Sequence, residues 1–252
     1  MKKYVFKGVV VFIILLFIFG CMSLKTHIPV NAGKNSIKYT KNYHSGSGNF
    51  VFLLKEVEPL ICLAEECRPR IESTASGFVL SSDENSVFII TAAHFCTEVE
   101  GVDIYVDEQI IAFANDTPRK VSILYMDRET DLCMLHGIKE VNESFENIKI
   151  AENSVIGEKV YTVAAPDGIA GPGFRLIFDG IFSGCDDNVC MTTIPATFGS
   201  SGAGIFNMKG EVITIVMAVP ENFNNVILSP SNKDLIEFIK LIDKRVDIYP
   251  YK

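Results

Sequence analysis

The sequence lacks three features that would define other classes of protein. It has no second long hydrophobic run after residue 24, which excludes a polytopic membrane protein, because each crossing helix needs about 20 apolar residues. It has no excess of positive charge, since its formal net charge is −8, and this argues against a general nucleic-acid binder. Only 21% of the residues are charged and 48% are hydrophobic, which excludes a disordered chain. The 252 residues therefore suffice for one large folded domain or two small ones.

The N-terminus has the pattern of an export signal. Lysines at positions 2, 3 and 7 precede an almost entirely apolar run at 8–20, and a basic head before a short apolar body is typical of secretory signals. The tetrapeptide Ile-Phe-Gly-Cys at 18–21 resembles a bacterial lipobox, which implies a signal peptide at 1–20 and lipidation of Cys21. The protein is then expected to be exported and membrane-anchored, on the periplasmic or cell-surface side. An uncleaved anchor helix and an ordinary cleaved signal are the alternatives, and all three permit disulfides.

Residues 21–48 contain four lysines and no acidic residue, and they are rich in Asn, Ser, Thr and Gly. This composition predicts a flexible basic tether. Removing the seven lysines at positions 2, 3, 7, 25, 34, 38 and 41 changes the formal charge from −8 to −15, which is the charge of 49–252. A basic tether is attracted to an anionic lipid surface and an acidic body is repelled by it. The alternative is that these lysines only keep a linker soluble.

From residue 49 onward, short apolar runs alternate with turn signals. The runs lie at 50–54, 77–80, 87–90, 121–126, 159–163, 175–182 and 211–217. Short strands at this spacing predict an antiparallel sandwich or barrel. A polar stretch at 142–153 divides them into two halves. A helix is expected at about 232–243, because Ser231 and Asp234 form a helix-start pattern and the apolar residues that follow share one face.

Three short motifs carry candidate chemistry. Thr-Ala-Ala-His at 91–94 follows the apolar run at 87–90, Glu-Thr-Asp-Leu lies at 129–132, and Gly-Ser-Ser-Gly-Ala-Gly lies at 199–204. Each motif is weak by itself, because a lone histidine is often structural and Gly-Ser clusters are often turns. The order histidine, aspartate, serine, at intervals of 37 and 70 residues, is what makes the set specific.

With these motifs the sequence resembles the trypsin-like serine peptidases, especially the bacterial HtrA-type and glutamyl-endopeptidase-type enzymes. The resemblance extends over about 50–242 and includes segments 76–80, 157–161, 165–168, 210–213 and 227–231. It implies an all-β fold of two antiparallel six-stranded β-barrels, a trypsin-like double barrel, with a C-terminal helix. The peptidase domain would occupy 49–245, with the first barrel at about 49–141 and the second at about 154–230. The resemblance also implies protein or peptide substrates. We expect a monomer, because the oligomerisation of HtrA-type enzymes is not carried over to this chain, and we expect no cofactor, metal ion or nucleic acid.

The resemblance assigns a role to each residue of the motifs. Ser201 would be the nucleophile, His94 the base that takes its proton and returns it to the leaving amine, and Asp131 the group that holds the tautomer of His94. The backbone N–H groups of Gly199 and Ser201 would form the oxyanion hole. Ala203 departs from the family, which usually has glycine there. A serine endopeptidase that works through an acyl-enzyme is therefore expected, and a catalytically inactive fold that serves as a binding module is the alternative.

The six cysteines other than Cys21 fall into three natural pairs. The pairs are Cys62 with Cys67, Cys96 with Cys133, and Cys185 with Cys190. The first and third pairs flank short loops, as hairpin staples do. The members of the middle pair follow the motif histidine and the motif aspartate by two residues each, so they would start from neighbouring backbone if the triad forms. The sequence by itself allows fifteen pairings, and it contains no CxxC or HxxxH spacing that would favour zinc.

The resemblance also locates a primary specificity pocket, at the residues about six before the nucleophile and on the strand after it. The predicted pocket residues are Pro195, Ala196, Thr197, Val216, Met217 and Ala218. Trypsin-type cleavage after Lys or Arg needs an acid in this pocket, and glutamyl endopeptidases use a histidine there. Neither is present, so cleavage after small or medium-sized apolar residues is expected. The histidines at 27, 44 and 136 are expected to be bystanders.

Overall fold

The computed structural model describes residues 44–63, 66–97, 108–169, 174–186 and 188–244, all within one unit that begins at Ser36. The predictions for the signal peptide, for Cys21 and for most of the tether lie outside the described residues. Among the described residues, no helix has both the length and the apolar character needed to cross a membrane.

The first barrel contains six strands joined by antiparallel ladders. They are β1 (Phe50–Leu63), β2 (Glu66–Ser82), β3 (Ser86–Ala92), β4 (Glu108–Ala114), β5 (Thr117–Asp127) and β6 (Leu132–Ile138). The barrel closes in the order β1-β2-β3-β6-β5-β4. In β3, Val87 and Ile89 pack in one hydrophobic cluster while Phe88 and Ile90 pack in another. Successive side chains of a strand point to opposite faces, so a fully apolar run is what a strand buried on both faces requires.

The second set of six strands follows the irregular segment at 142–153. They are β7 (Lys159–Ala164), β8 (Leu176–Asp186), β9 (Val189–Thr192), β10 (Gly204–Asn207), β11 (Val212–Ile215) and β12 (Ile227–Pro230). The strand order is β11-β10-β7-β8-β9-β12. The two ends of this sheet meet just beyond β11, where Ala218 bridges Leu228 of β12, so the sheet curves into a second barrel.

The described part of the chain also contains three α-helices, which are α1 (His44–Gly48), α2 (Ala93–Cys96) and α3 (Asn232–Asp243), and one 3-10 helix at Pro166–Gly168. Helix α3 begins at the predicted place, because the Ser231 hydroxyl accepts from the Asp234 N–H and the Asp234 side chain accepts from the Ser231 N–H. The predicted all-β double barrel with a C-terminal helix is thus confirmed.

Three hydrophobic cores hold this architecture together. One lies within the first barrel, one lies within the second barrel, and the largest joins residues of both barrels to α3. In the joining core, Phe78 of the first barrel packs edge-on against Phe206 of the second, with ring centroids 5.5 Å apart. Because both rings are almost fully buried, this contact helps to fix the position of one barrel against the other. The motif residues lie at the junction of the two barrels.

Helix α1 falls at the end of the segment that the sequence assigns to the tether. Its Gly46 lies against the rings of Tyr161 and Phe206, so closely that a Cβ at this position would be 2.8 Å from Tyr161. Ser47 is buried, and its carbonyl accepts a hydrogen bond of 3.1 Å from Arg175 Nε. Residues 46 and 47 are therefore packed on the folded body, although the sequence assigns them to the tether.

Candidate active site

His94 and Asp131 are brought together by the pairing of two strands. Strands β3 and β6 are antiparallel neighbours, and Ala92 at the end of one pairs with Leu132 at the start of the other. His94 Nδ1 lies 2.8 Å from Asp131 Oδ2. A carboxylate only accepts hydrogen bonds, so in a neutral imidazole ring Nδ1 carries the proton and Nε2 keeps its lone pair. This is the tautomer that a general base requires.

The backbone around Asp131 fixes the relative position of the two side chains. Asp131 has a φ of +56°, a left-handed conformation that aspartate tolerates better than most residues. Its carbonyl accepts from Ala93 N at 3.0 Å, and its Oδ1 accepts from His94 N at 2.8 Å. One aspartate therefore receives three hydrogen bonds from the α2 turn. The His94 side chain is 51% exposed and that of Asp131 only 15%, so the imidazole faces solvent while its partner is sheltered.

Ser201 lies on a tight turn between β9 and β10 that depends on glycine at both ends. Gly199 and Gly202 have φ values of +84° and +82°, a region open to glycine without strain. A Cβ on Gly199 would collide with Ala165 O, and a Cβ on Gly202 would collide with Thr91 Oγ1. The turn is thus pressed against both barrels, and no side chain fits at either glycine.

Two N–H groups in this turn are left without a protein acceptor. The N–H groups of Ser200, Gly202 and Ala203 donate to the carbonyls of Thr197, Val216 and Ser200, respectively. Those of Gly199 and Ser201 make no hydrogen bond within the described residues. These are the two donors that the resemblance assigns to an oxyanion hole. N–H groups that have no protein acceptor can donate to a developing negative charge.

The residue after Ser201 contacts the backbone of the strand that leads to the histidine motif. The position of a Cβ on Gly202 is 2.6 Å from Ala92 N, so the residue after Ser201 touches the strand end that leads to His94. Within the described residues, no hydrogen bond joins the Ser201 hydroxyl to His94. Such bonds are often long in the absence of substrate.

Comparison with known proteins places this geometry in a family. A family model described as the trypsin-like peptidase domain matches residues 75–215, more than half of the chain. The chain belongs to the trypsin-like peptidase family. Two relatives from Pseudomonas putida, of strains F1 and GB-1, bear the name "Probable periplasmic serine endoprotease DegP-like". They are 25% identical over 154 and 152 residues, 57% of this chain. The chain covers only 29% of the length of these relatives.

A solved structure supports the same fold. The serine endoprotease from Yersinia pestis superimposes with a TM-score of 0.60 at 20% sequence identity, over 82% of this chain and 68% of that one. At this identity the likeness bears on the fold alone. It agrees with the two-barrel arrangement described above.

Ala203, where this chain departs from the family pattern, is accommodated inside the second barrel. It is fully buried and packs in the core cluster of that barrel. Its N–H donates to Ser200 O, and its carbonyl accepts from Val216 N at 2.8 Å. The methyl group of Ala203 therefore packs in the core of the second barrel. The N–H and the carbonyl of this residue both keep a backbone hydrogen bond.

The predicted specificity residues lie on two segments of the second barrel. Ala196 and Val216 are buried, whereas Thr197, Met217 and Ala218 are half-buried. Pro195 is exposed, so the predicted pocket floor is open at this point. Both segments are held by backbone hydrogen bonds, since Ala196 N donates to Asn224 O in the loop before β12, and Met217 N and Ala218 N donate to Leu228 O of β12. None of the six side chains carries a charge.

Two of the three predicted disulfides are present among the described side chains, Cys96 with Cys133 and Cys185 with Cys190. These four sulfurs are therefore not available as thiolate ligands for zinc. Cys62 and Cys67 face each other in the β1–β2 ladder, but their side chains lie outside the description, so this disulfide stays a prediction. The described residues contain no group of three or more potential metal ligands among His, Cys, Asp and Glu.

His136, expected to be a bystander, lies within the first barrel. Its Nε2 is 3.1 Å from Ser86 Oγ, and its ring is 5.6 Å from that of Phe88.

Ser76, which the sequence analysis includes only as part of a strand, has a larger part in the site. Ser76 of β2 contacts the carbonyls of both Gly199 and Ser201. The sequence shows only a serine in segment 76–80 of the resemblance, and its burial and its contacts across the barrels depend on the tertiary structure.

Proposed function

We propose that the protein is a serine endopeptidase in which His94, Asp131 and Ser201 form the catalytic triad. Membership of the trypsin-like peptidase family supports hydrolysis of peptide bonds in general. The observation that carries the assignment of residues is the 2.8 Å contact between His94 Nδ1 and Asp131 Oδ2, together with the two N–H groups on the Ser201 turn that have no acceptor within the described residues. A base, its orienting acid and two candidate oxyanion donors are the groups that a serine nucleophile needs.

The chemistry follows from these positions. Ser201 Oγ attacks the carbonyl carbon of the substrate while its proton moves to His94 Nε2, and the N–H groups of Gly199 and Ser201 stabilise the resulting oxyanion. His94 then gives the proton to the leaving amine, which departs and leaves an acyl-enzyme. A water molecule repeats the sequence, with its proton taken by His94, and releases the carboxylic acid and the free serine. Asp131 stabilises the imidazolium in both halves.

A fluorophosphonate probe, which reacts with an activated serine, tests the proposal. The purified protein should be labelled at Ser201, and labelling should disappear in Ser201→Ala and fall strongly in His94→Ala. Ser200→Ala is the matched control, because Ser200 is the buried neighbour whose N–H belongs to the turn. Labelling that persists in Ser201→Ala would refute the triad. The alternative is a catalytically inactive fold that serves as a binding module. An unlabelled protein that turns over no peptide would support that alternative.

For specificity, we propose cleavage after small or medium-sized apolar residues. The six predicted pocket side chains are uncharged. The neighbouring Phe198 exposes 87% of its surface beside the turn at 199–202, which carries the candidate oxyanion donors and is called the candidate oxyanion turn. An exposed phenyl ring at this place offers apolar contact to an extended peptide. A peptide library cleaved by the purified protein should show apolar residues before the cut. A preference for Lys, Arg or Glu at that position would contradict this proposal.

We further propose that the protein is exported and held at a membrane by a lipid on Cys21, with residues 21–43 as a tether. The signal pattern at 1–20 supports this, and so do the two relatives, which are named as periplasmic. Palmitate supplied to producing cells should label the wild-type protein and not Cys21→Ser. Labelling that survives this substitution would refute the lipid anchor.

A further inference from the structure

We propose that Ser76 is a positioning residue, through which the first barrel holds the candidate oxyanion turn of the second. The inference rests on the proposed peptidase function and assigns a role to a residue outside the triad. Ser76 lies in β2 and is fully buried. It is thus a polar side chain that the fold keeps in the interior, where each of its hydrogen-bonding groups needs a partner.

All of the hydrogen-bonding groups of Ser76 are used at the junction of the barrels. Its hydroxyl donates to Gly199 O at 2.8 Å and accepts from Ala165 N at 2.9 Å. Its backbone N–H donates to Ser201 O at 2.9 Å, and its carbonyl accepts from Thr91 Oγ1 at 2.8 Å. One residue therefore links the Ser201 turn, the loop after β7 and the strand that leads to His94.

The two carbonyls that Ser76 binds determine where the turn directs its N–H groups. A peptide unit is planar, so the bond to the Gly199 carbonyl also fixes the N–H of Ser200. The bond to the Ser201 carbonyl likewise fixes the peptide unit between Ser201 and Gly202. The peptide between them carries the Ser201 N–H, one of the two proposed oxyanion donors. Its orientation is thus limited from both sides.

The bond from Ser200 N to Thr197 O holds the same peptide unit, and the freedom of Gly199 makes the additional support from Ser76 important. Glycine adopts positive and negative φ with similar ease, so the backbone at Gly199, with its φ of +84°, has little intrinsic preference for the observed conformation. If the Gly199 carbonyl were released from Ser76, it could rotate toward the site. Its partial negative charge would then oppose the oxyanion, and the turn would lose the arrangement of donors that is fixed before the substrate arrives.

Ser76→Ala separates this role from that of a purely structural hydroxyl. The variant keeps the backbone bond from residue 76 to Ser201 O, so the strand and the turn remain attached. Thr214→Val is the matched control, because Thr214 is equally buried and its hydroxyl donates to Pro230 O at 2.7 Å, in the second barrel. Each substitution removes one buried hydroxyl from a strand. Only the first removes a contact with the turn.

The kinetic test measures kcat, KM and the affinity for a peptide boronate, whose tetrahedral adduct places an oxygen at the oxyanion position. Ser76→Ala should lower kcat between about 10- and 100-fold, the range for a sub-ångström to 1 Å displacement of a catalytic group. KM should stay within about twofold, and the boronate affinity should fall in parallel with kcat. Ser76→Thr keeps a hydroxyl and should be more active than Ser76→Ala.

Three kinetic outcomes would overturn the proposal. They are an unchanged kcat in Ser76→Ala, an equal loss in Thr214→Val, and a threonine variant no more active than the alanine variant. Hydrogen–deuterium exchange provides a readout that does not need activity. Amides at 197–203 should exchange faster in Ser76→Ala and not in Thr214→Val. If the wild-type protein neither turns over peptide nor labels at Ser201, the proposed function fails, and the exchange comparison alone decides whether Ser76 positions the turn.

Discussion

The two described disulfides should contribute very differently to stability, because they close loops of different length. Cys96 and Cys133 are separated by 37 residues, whereas Cys185 and Cys190 are separated by 5. If a disulfide acts by lowering the entropy of the unfolded chain, these separations correspond to about 4 and about 2 kcal/mol at 25 °C. Burial adds to the difference, since Cys96 and Cys133 are both packed in the core of the first barrel, whereas in the other pair only Cys190 is buried and Cys185 is exposed. Alanine at 96 and 133 also leaves unfilled space.

The double variants Cys96→Ala/Cys133→Ala and Cys185→Ala/Cys190→Ala test this expectation directly. Urea unfolding without reductant gives the free energy of unfolding of each variant and of the wild type. The chain has no Trp and eight Tyr, so far-UV circular dichroism is the main probe and tyrosine fluorescence the second. Coincident transitions from the two probes would justify a two-state analysis.

We expect the first double variant to lose at least about 2 kcal/mol more than the second, the difference between the two loop-closure terms. Equal losses, or a larger loss for the 185–190 pair, would refute the argument from loop length. A large drop in the m-value of only one variant would show that its unfolded or native state has changed in compactness. In that case the entropic explanation would be wrong even if the order of stabilities were right.

Three further predictions concern single positions. Asp131→Asn should lower kcat by about 10⁴-fold in a peptide assay at neutral pH, because the amide can donate to His94 Nδ1 and so favour the wrong tautomer. A loss of less than about tenfold would contradict the proposed triad. Gly202→Ala should destabilise the fold by more than about 2 kcal/mol in urea unfolding, since a Cβ collides with the end of β3 and the φ is +82°; wild-type stability would refute the collision. Glu143→Ala should lower the free energy of unfolding by about 3 kcal/mol in the same assay, because the Arg119 side chain, which is 4% exposed, is left buried without its carboxylate partner. Recovery of stability when Arg119→Met is added would support this cause.

The strands that the sequence predicts best are those with enough consecutive apolar residues to be buried on both faces. The runs at 50–54, 87–90 and 159–163 all fall inside strands of the structure. Strands β9 and β12 have only four residues each, too few for a periodic pattern to stand out. They exist because each pairs with the other across the sheet, and such pairing depends on residues far apart in sequence.

The same distinction applies to the site. The residue types and their order are local properties, so the motifs that contain His94, Asp131 and Ser201 can be recognised without coordinates, and so can the need for glycine at 199. The partner that holds Gly199 is 123 residues away in sequence. No local pattern could identify Ser76, because a serine in a strand is ordinary until another strand end is placed against it.

The sequence by itself predicted an all-β fold, the candidate chemical groups and the cysteines that could pair, since these follow from apolar periodicity, from motif residues and from cysteine spacing. Only the tertiary structure decided which cysteines are bonded among those described and how the candidate groups are held. It set the left-handed backbone of Asp131, left two N–H groups of the Ser201 turn without an acceptor within the described residues and placed Ser76 between the barrels. The physical reason is that hydrogen-bond direction depends on the relative orientation of peptide planes. That orientation is fixed only when the two barrels pack against each other.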